Sequence, residues 1–189
     1  DAGNVKPNIL FRESCQLARL SFCVHGMYGI QRNGMAYILG YIPSSCRLSN
    51  FIDMTGRTVL LRPIETPNTR TAYAVYAVKY RKGFIKLAQT NRVIEAQIRR
   101  RYFSFLGVRK KISHEYKIGN YKADLFTHDT NTLIEIKSTL SFSKKSIFPT
   151  VYSERAVKQL TEISRLLDEG YRACYILVSL NPSVKEITI

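Results

Sequence analysis

Asp124, Glu135 and Lys137 carry side chains that can do chemistry together. The run Leu133-Ile134-Glu135-Ile136-Lys137 reads as a strand. Residues two apart on a strand share a face, so Glu135 and Lys137 point one way while Ile134 and Ile136 point into the core. Asp124 lies in the preceding strand, between Ala123 and Leu125, which are expected to face the opposite way. The polar turn His128–Thr132 folds the two strands into a hairpin and brings Asp124 and Glu135 together on one face. Two carboxylates held together repel unless a cation lies between them, and hard oxygen ligands suit magnesium or manganese. Such a cation would polarise a phosphodiester and lower the pKa of a bound water. Lys137 would orient that water or stabilise the developing phosphorane charge. A plainer reading has the same spacing: a surface hairpin with a cross-strand ion pair. A second acid-x-Lys triplet, Glu115-Tyr116-Lys117, precedes Asp124 instead of following it.

The elements that must position these residues are read from hydrophobic pattern and turn residues. From Leu17 to about Leu87 the chain shows short β-rich runs: Arg19 to Val24, Met35 to Tyr41 after an Asn33-Gly34 hairpin signal, Arg57 to Arg62, Ala72 to Tyr80, and Phe84 to Leu87 after the Lys82-Gly83 turn. Short strands with tight turns predict a small antiparallel β-barrel or sandwich. The pattern changes near Gln89. Asn91 to Phe105 reads as a basic helix, followed by strands at Ile112–Ile118, Lys122–Phe126 and Leu133–Lys137 and a basic Ser/Lys loop from Ser138 to Phe148. Glu154 to Glu169 reads as a helix with Ala156, Leu160, Ile163 and Leu167 on one face and Gly170 as its stop. Tyr175 to Val178 reads as a buried strand. The expected organisation is α+β: a barrel over 1–87, with 1–16 as a poorly ordered leader, then an α/β domain over 88–189 with a partly parallel sheet.

Charge narrows the partners. The 189 residues hold 29 Lys plus Arg against 14 Asp plus Glu, a net charge of +15. The excess is uneven, +10 over residues 1–100 and +5 over 101–189. This favours a polyanionic partner, nucleic acid before an acidic membrane surface, because no long basic amphipathic helix is evident. The 45% apolar fraction excludes disorder, and no apolar run spans a bilayer. Cys15, Cys23, Cys46 and Cys174 show no C-x-x-C spacing, so neither a zinc site nor a disulfide scaffold is expected. His25, His114 and His128 are isolated. With no targeting segment, the expected location is the cytoplasm or another nucleic-acid compartment, not the exterior. A first residue of Asp1 rather than Met suggests a processed or excised form.

Clusters of Arg99, Arg100 and Arg101 before Tyr102-Phe103, and of Arg109, Lys110 and Lys111, suit phosphate contacts and base stacking; a solvated helix face is the plainer reading. Lys144 and Lys145, just beyond the hairpin, would clamp a phosphate. Arg155 and Lys158, three apart on a helix, share a face and would reach the same site.

Asp followed by Glu-x-Lys on the next strand resembles the general layout of the PD-(D/E)xK nucleases. From about Arg19 to Ser179 the chain also resembles the sugar fermentation stimulation protein A family of DNA-binding proteins. The stretch Phe148-Pro149-Thr150-Val151-Tyr152-Ser153-Glu154-Arg155, with Lys158, Leu160 and Glu162 behind it, is similar to that family's F-P-D-A-x-[ST]-E-R-x-x-K-H-L-x-E-L. Ala123-Asp124-Leu125, Ile134 to Ser138 and Thr90 to Glu95 resemble further motifs in the same order. Tyr41 to Cys46, with Met54-Thr55-Gly56 behind it, occupies the place of C-P-N-T-G-x-M. Pro43-Ser44-Ser45-Cys46 and Thr150 depart from the pattern. The resemblance implies an N-terminal OB-like barrel, a C-terminal PD-(D/E)xK restriction-endonuclease-like domain, and a Mg2+- or Mn2+-dependent DNA endonuclease. It puts Asp124 and Glu135 on the metal, makes Lys137 the catalytic lysine, and offers Glu95 or Glu115 as an auxiliary acid. The alternatives are a non-cutting nucleic-acid-binding or regulatory protein, a homo-oligomer, and a subunit of a larger nucleoprotein assembly.

Overall fold

The computed structural model describes residues 16–24, 27–32, 35–42, 53–65, 71–87, 89–107, 110–150 and 152–189. The expected leader before residue 16, the Asn33-Gly34 turn, the Pro43–Cys46 motif and Arg109 lie outside the described residues. The architecture is mixed α+β, and the chain divides into two units, residues 1–43 with 54–85 and residues 44–53 with 86–189.

The first unit is built from β1 (Gln16–Val24), β2 (Met27–Arg32), β3 (Met35–Tyr41), β4 (Thr58–Pro63) and β5 (Tyr73–Tyr80), with β6 (Gly83–Lys86) beside β5. Antiparallel pairs join β1 to β2 and β4, β2 to β3, and β4 to β5. A parallel pair then joins β3 to β5 at Gly40–Tyr73 and Tyr41–Ala74, so the pairings close a ring, β1-β2-β3-β5-β4. On β4 the alternation is clear, with Val59 and Leu61 buried. On β5 five successive residues, Ala74 to Val78, are buried. The sequence pattern did not single out β2, because Gly29 interrupts its apolar residues.

In the second unit a four-stranded sheet, in the order β11-β9-β8-β7, is assembled from β7 (Ile112–Ile118), β8 (Tyr121–Thr127), β9 (Thr132–Thr139) and β11 (Arg172–Ser179). β7-β8-β9 is an antiparallel meander and β11 runs parallel to β9. Helix α1 (Thr90–Arg99) packs Ile94 and Ile98 on Leu125, Ile134 and Ile136. Helix α2 (Glu154–Asp168) packs Ile163 and Leu166 on Ala123, Phe126 and Leu133. Leu133 and Ile134 are neighbours on one strand, so the two helices cover opposite faces of the sheet.

Several sequence expectations need correction. Asn91 to Phe105 is not one helix: α1 stops at Arg99, Arg101 is left-handed (φ 64), and Ser104–Leu106 form a separate 3-10 turn. The basic loop 138–148 contains a short strand, β10 (Lys145–Ile147), paired in parallel with β12 (Glu186–Thr188), a pairing too remote in sequence to show in local pattern. The inner face of α2 is rotated from the expected one. Leu160 and Leu167 are exposed, while Gln159, Ile163 and Leu166 face inward. β11 is only half-buried, because it is the edge of its sheet among the described residues.

Candidate active site

The site forms where the β8–β9 ladder opens. The paired residues are Leu125–Ile134, Phe126–Leu133 and Thr127–Thr132. Beyond them the Ile136 backbone N–H donates to the Asp124 carboxylate, 2.8 Å away, in place of a strand carbonyl. The break also ends the alternation expected around Asp124: Ala123 joins the α2 core and Leu125 the α1 core, so they do not share a face. On the other side of β8, Glu115 takes a left-handed backbone (φ 46) between the pairs His114–Leu125 and Tyr116–Ala123.

Each group of the hairpin is held. The amide of Asn91, in the first turn of α1, donates to the second oxygen of Asp124 at 3.2 Å. Ser138, next after Lys137, donates to the Thr90 hydroxyl at 3.0 Å and ties β9 to the start of α1. Glu135 is buried. It accepts from the Tyr121 hydroxyl at 2.6 Å through one oxygen and from Lys137 Nζ at 2.5 Å through the other. Lys137 also donates to Gln159 of α2 at 3.3 Å. Tyr175 lies opposite Glu135 in the β9–β11 register. Both carboxylates thus keep lone pairs free beside their present donors, which hard cations use.

Burial pushes Asp124 above the ordinary carboxylate range, and the nearby Glu135 charge adds to this. The Ile136 N–H, Lys137 and Asn91 pull the other way but do not cancel it. Burial and both carboxylates push Tyr175 up to about 12, and Tyr121 is raised further for the same reasons, so both hydroxyls keep their protons at neutral pH. For Asp124 the stability consequence has a definite sign. A raised folded pKa contributes stability below the ordinary carboxylate range and loses it as pH rises through the folded value. A cation binds the ionised form. The thermal stabilisation by Mn2+ should therefore grow as pH rises above the ordinary carboxylate range and level off once Asp124 is fully ionised, as melting curves with and without metal would show.

The structure gathers only part of the predicted set. Glu95 is bonded by Arg99 at 2.7 Å and His114 at 2.8 Å, and Glu115 is exposed and paired with Lys122 at 3.0 Å. Among the described residues no three His, Cys, Asp or Glu side chains cluster as a metal site. Arg99 is thereby committed to Glu95, whereas Arg100, Arg101 and Lys110 are exposed. Lys111 is exposed and its backbone N–H donates to Asp129 at 2.9 Å, which helps hold that carboxyl below its usual range. The Lys144 carbonyl accepts from the Lys185 N–H, and Lys145 pairs with Glu186 at 3.1 Å. Arg155 and Lys158 are exposed on the first turns of α2; Arg155 precedes Gln159 by one turn.

Tyr121, Asn91, Gln159 and Tyr175 belong to the site although sequence reasoning passed over them. For Tyr121 there was a signal: a buried tyrosine hydroxyl needs a partner, and Tyr121 opens the strand that carries Ala123, Leu125 and Phe126 into the core. Tyr121→Phe should cost about 1–2 kcal/mol of stability, since it withdraws a donor from a buried carboxylate. It should also weaken Mn2+ binding by roughly tenfold, measured by calorimetry.

A family model described as the Sugar fermentation stimulation protein RE domain matches residues 88–189. The chain belongs to the sugar fermentation stimulation protein family. Family homologs in Desulforamulus reducens and Clostridium perfringens are 26% and 29% identical, over 77% and 75% of this chain and 64% of each relative. This chain thus spans less than two thirds of their length. The solved structure of Pyrococcus furiosus SfsA in complex with Ca2+ superposes with a TM-score of 0.74 at 17% identity, covering 92% of this chain and 76% of that one. The likeness bears out the mixed α+β fold. No described helix is long and apolar enough to cross a membrane.

Proposed function

We propose that this chain is a divalent-metal-dependent nuclease that hydrolyses phosphodiester bonds, with DNA as the favoured substrate, Mg2+ or Mn2+ as cofactor, and the cytoplasm or another nucleic-acid compartment as its location. In this reading the first unit is an OB-like barrel, which the closed β1-β2-β3-β5-β4 ring supports, and the second is a PD-(D/E)xK-like domain. One observation carries the function: a buried Glu135 bonded to Lys137, beside an Asp124 whose carboxylate replaces a strand carbonyl where the hairpin opens. Ca2+ in the Pyrococcus furiosus relative is consistent with a divalent cation in this family.

Asp124 and Glu135 would hold the metal, which when bound supplies Lewis acidity toward the phosphate and a water of lowered pKa. Ile136 and Asn91 fix the Asp124 carboxylate, and Tyr121 fixes that of Glu135. Lys137, steadied by Gln159, keeps a cationic donor aimed at the site, where negative charge develops on the phosphoryl oxygens. The cationic surface of Arg155, Lys158 and Lys144 would hold the flanking backbone.

The purified protein should cut DNA in Mg2+ or Mn2+ and stop when EDTA is added. A second reading, a nucleic-acid-binding protein or assembly subunit that does not cut, is favoured by the lack of a third acid among the described residues, since Glu95 is already bonded by Arg99 and His114. DNA that binds tightly and stays intact at every metal concentration would decide for it.

A further inference from the structure

The two helices of the second unit end in the same motif with different residues. At the end of α2, Gly170 N–H bonds the Leu167 carbonyl and Tyr171 N–H the Leu166 carbonyl, with Gly170 left-handed at φ 87. Tyr171 then packs onto the α2 core. This is the common helix stop, in which glycine takes the left-handed position and the next residue makes an apolar contact. At the end of α1, Arg101 N–H bonds the Ile98 carbonyl and Tyr102 N–H the Gln97 carbonyl, in the same geometry. Here the left-handed residue is Arg101 (φ 64), a conformation that costs a side-chain-bearing residue energy glycine would not lose. Tyr102 faces Gln97 across the motif instead of a leucine and is 72% exposed. Both residues close the helix through their backbone N–H groups, and neither side chain serves the stop.

The 3-10 turn beyond Tyr102 points an aromatic ring outward too. Phe105 is 62% exposed and is set edge-on against Phe103, which packs on the α1 core, while Leu106 is fully buried. Phe105 is thus anchored through Phe103 and Leu106 and kept at the surface. Residues 99–111 contain six basic residues and no acid. Among the described residues, neither Arg100 nor Arg101 has an acidic partner. Exposed aromatics beside the unpaired guanidinium groups of Arg100 and Arg101 match unpaired nucleotides, whose bases stack on aromatic rings while their phosphates take the cations. In a duplex those base faces are already stacked.

We propose that Arg100, Arg101, Tyr102 and Phe105 form a binding platform for single-stranded nucleic acid, with Tyr102 and Phe105 stacking on bases and the two arginines on phosphates. This deepens the nucleic-acid reading above and does not depend on cleavage.

The test is binding without divalent metal, so that no strand is cut, to labelled single-stranded DNA, the same sequence as RNA, and the DNA duplex. Wild type should prefer a single strand. Tyr102→Ala with Phe105→Ala should weaken single-strand binding by roughly tenfold per ring and change duplex binding much less. Arg101→Gly should lower the salt slope on single strands by about 0.7 and should not lower the melting temperature, since glycine suits the left-handed position better. Equal loss on single strand and duplex, no loss in either variant, or aromatic-dependent binding to anionic vesicles with none to oligonucleotides would each overturn the platform. A wild type that binds no nucleic acid at low salt would overturn the nucleic-acid reading as well, which separates the two failures.

Discussion

Glu135→Gln is expected to abolish metal-dependent cleavage, by about 10³-fold or more, while the protein stays folded. The side chain is buried, with one oxygen on the Tyr121 hydroxyl and the other on Lys137. Glutamine can keep its carbonyl oxygen on Lys137 and turn its amide toward Tyr121, whose hydroxyl both donates and accepts. The fold then loses only about 1 kcal/mol, the difference between a charge-assisted and a neutral hydrogen bond. The metal loses one of two anionic ligands, and several kcal/mol of transition-state stabilisation goes with it, roughly three powers of ten in rate. Glu135→Ala differs in kind, because it leaves the Tyr121 hydroxyl buried without its acceptor and should cost about 1–3 kcal/mol of stability. Thermal melting beside Mn2+ calorimetry separates the two variants. If Glu135→Gln cut as well as wild type, Glu135 would be part of a structural ion pair only.

Lys137→Met should lower cleavage without weakening metal binding. The thioether keeps most of the side chain's length and removes its charge. Cleavage should fall about 10²–10³-fold, the usual effect of losing one donor aimed at developing charge. Mn2+ affinity should hold or rise, since the ammonium no longer competes for Glu135. The metal-free protein should be destabilised, because Glu135 is left buried without its cation. Breaking a fully buried pair costs about 3–5 kcal/mol, and Lys137, 24% exposed, should cost less, roughly 2 kcal/mol. Mn2+ should therefore raise the melting temperature of this variant more than that of wild type. A purely structural lysine would leave the rate per folded molecule unchanged.

Much of the hairpin was legible because its signals are local. Apolar and charged residues alternate from Ile134 to Lys137, a polar turn precedes them, and the strand formed where the period-two pattern lay. The family was legible from motifs in order, and the family model and relatives bear it out. The features that escaped depend on partners distant in sequence. The break at Asp124 exists because a carboxylate takes the Ile136 N–H twelve residues away, which no alternation of residue types records. The inner face of α2 was misread because Gln159, a polar residue outside the apolar set of Ala156, Leu160, Ile163 and Leu167, turns in to reach Lys137. The end of α1 was misread because arginine occupies a left-handed position where glycine would have announced a stop. β11 is apolar enough to pass for a buried strand, and only the sheet order shows that it lies at an edge.

The most direct test of the nuclease reading compares wild type with Asp124→Ala and Lys137→Ala on single-stranded, duplex and branched DNA. Cleavage in Mg2+ or Mn2+ and binding are measured in the same samples. The arrangement of Asp124, Glu135 and Lys137 predicts that both variants still bind and neither cuts. Tight binding by all three proteins with no cutting by wild type under either metal would contradict it and leave the positive charge as the functional feature.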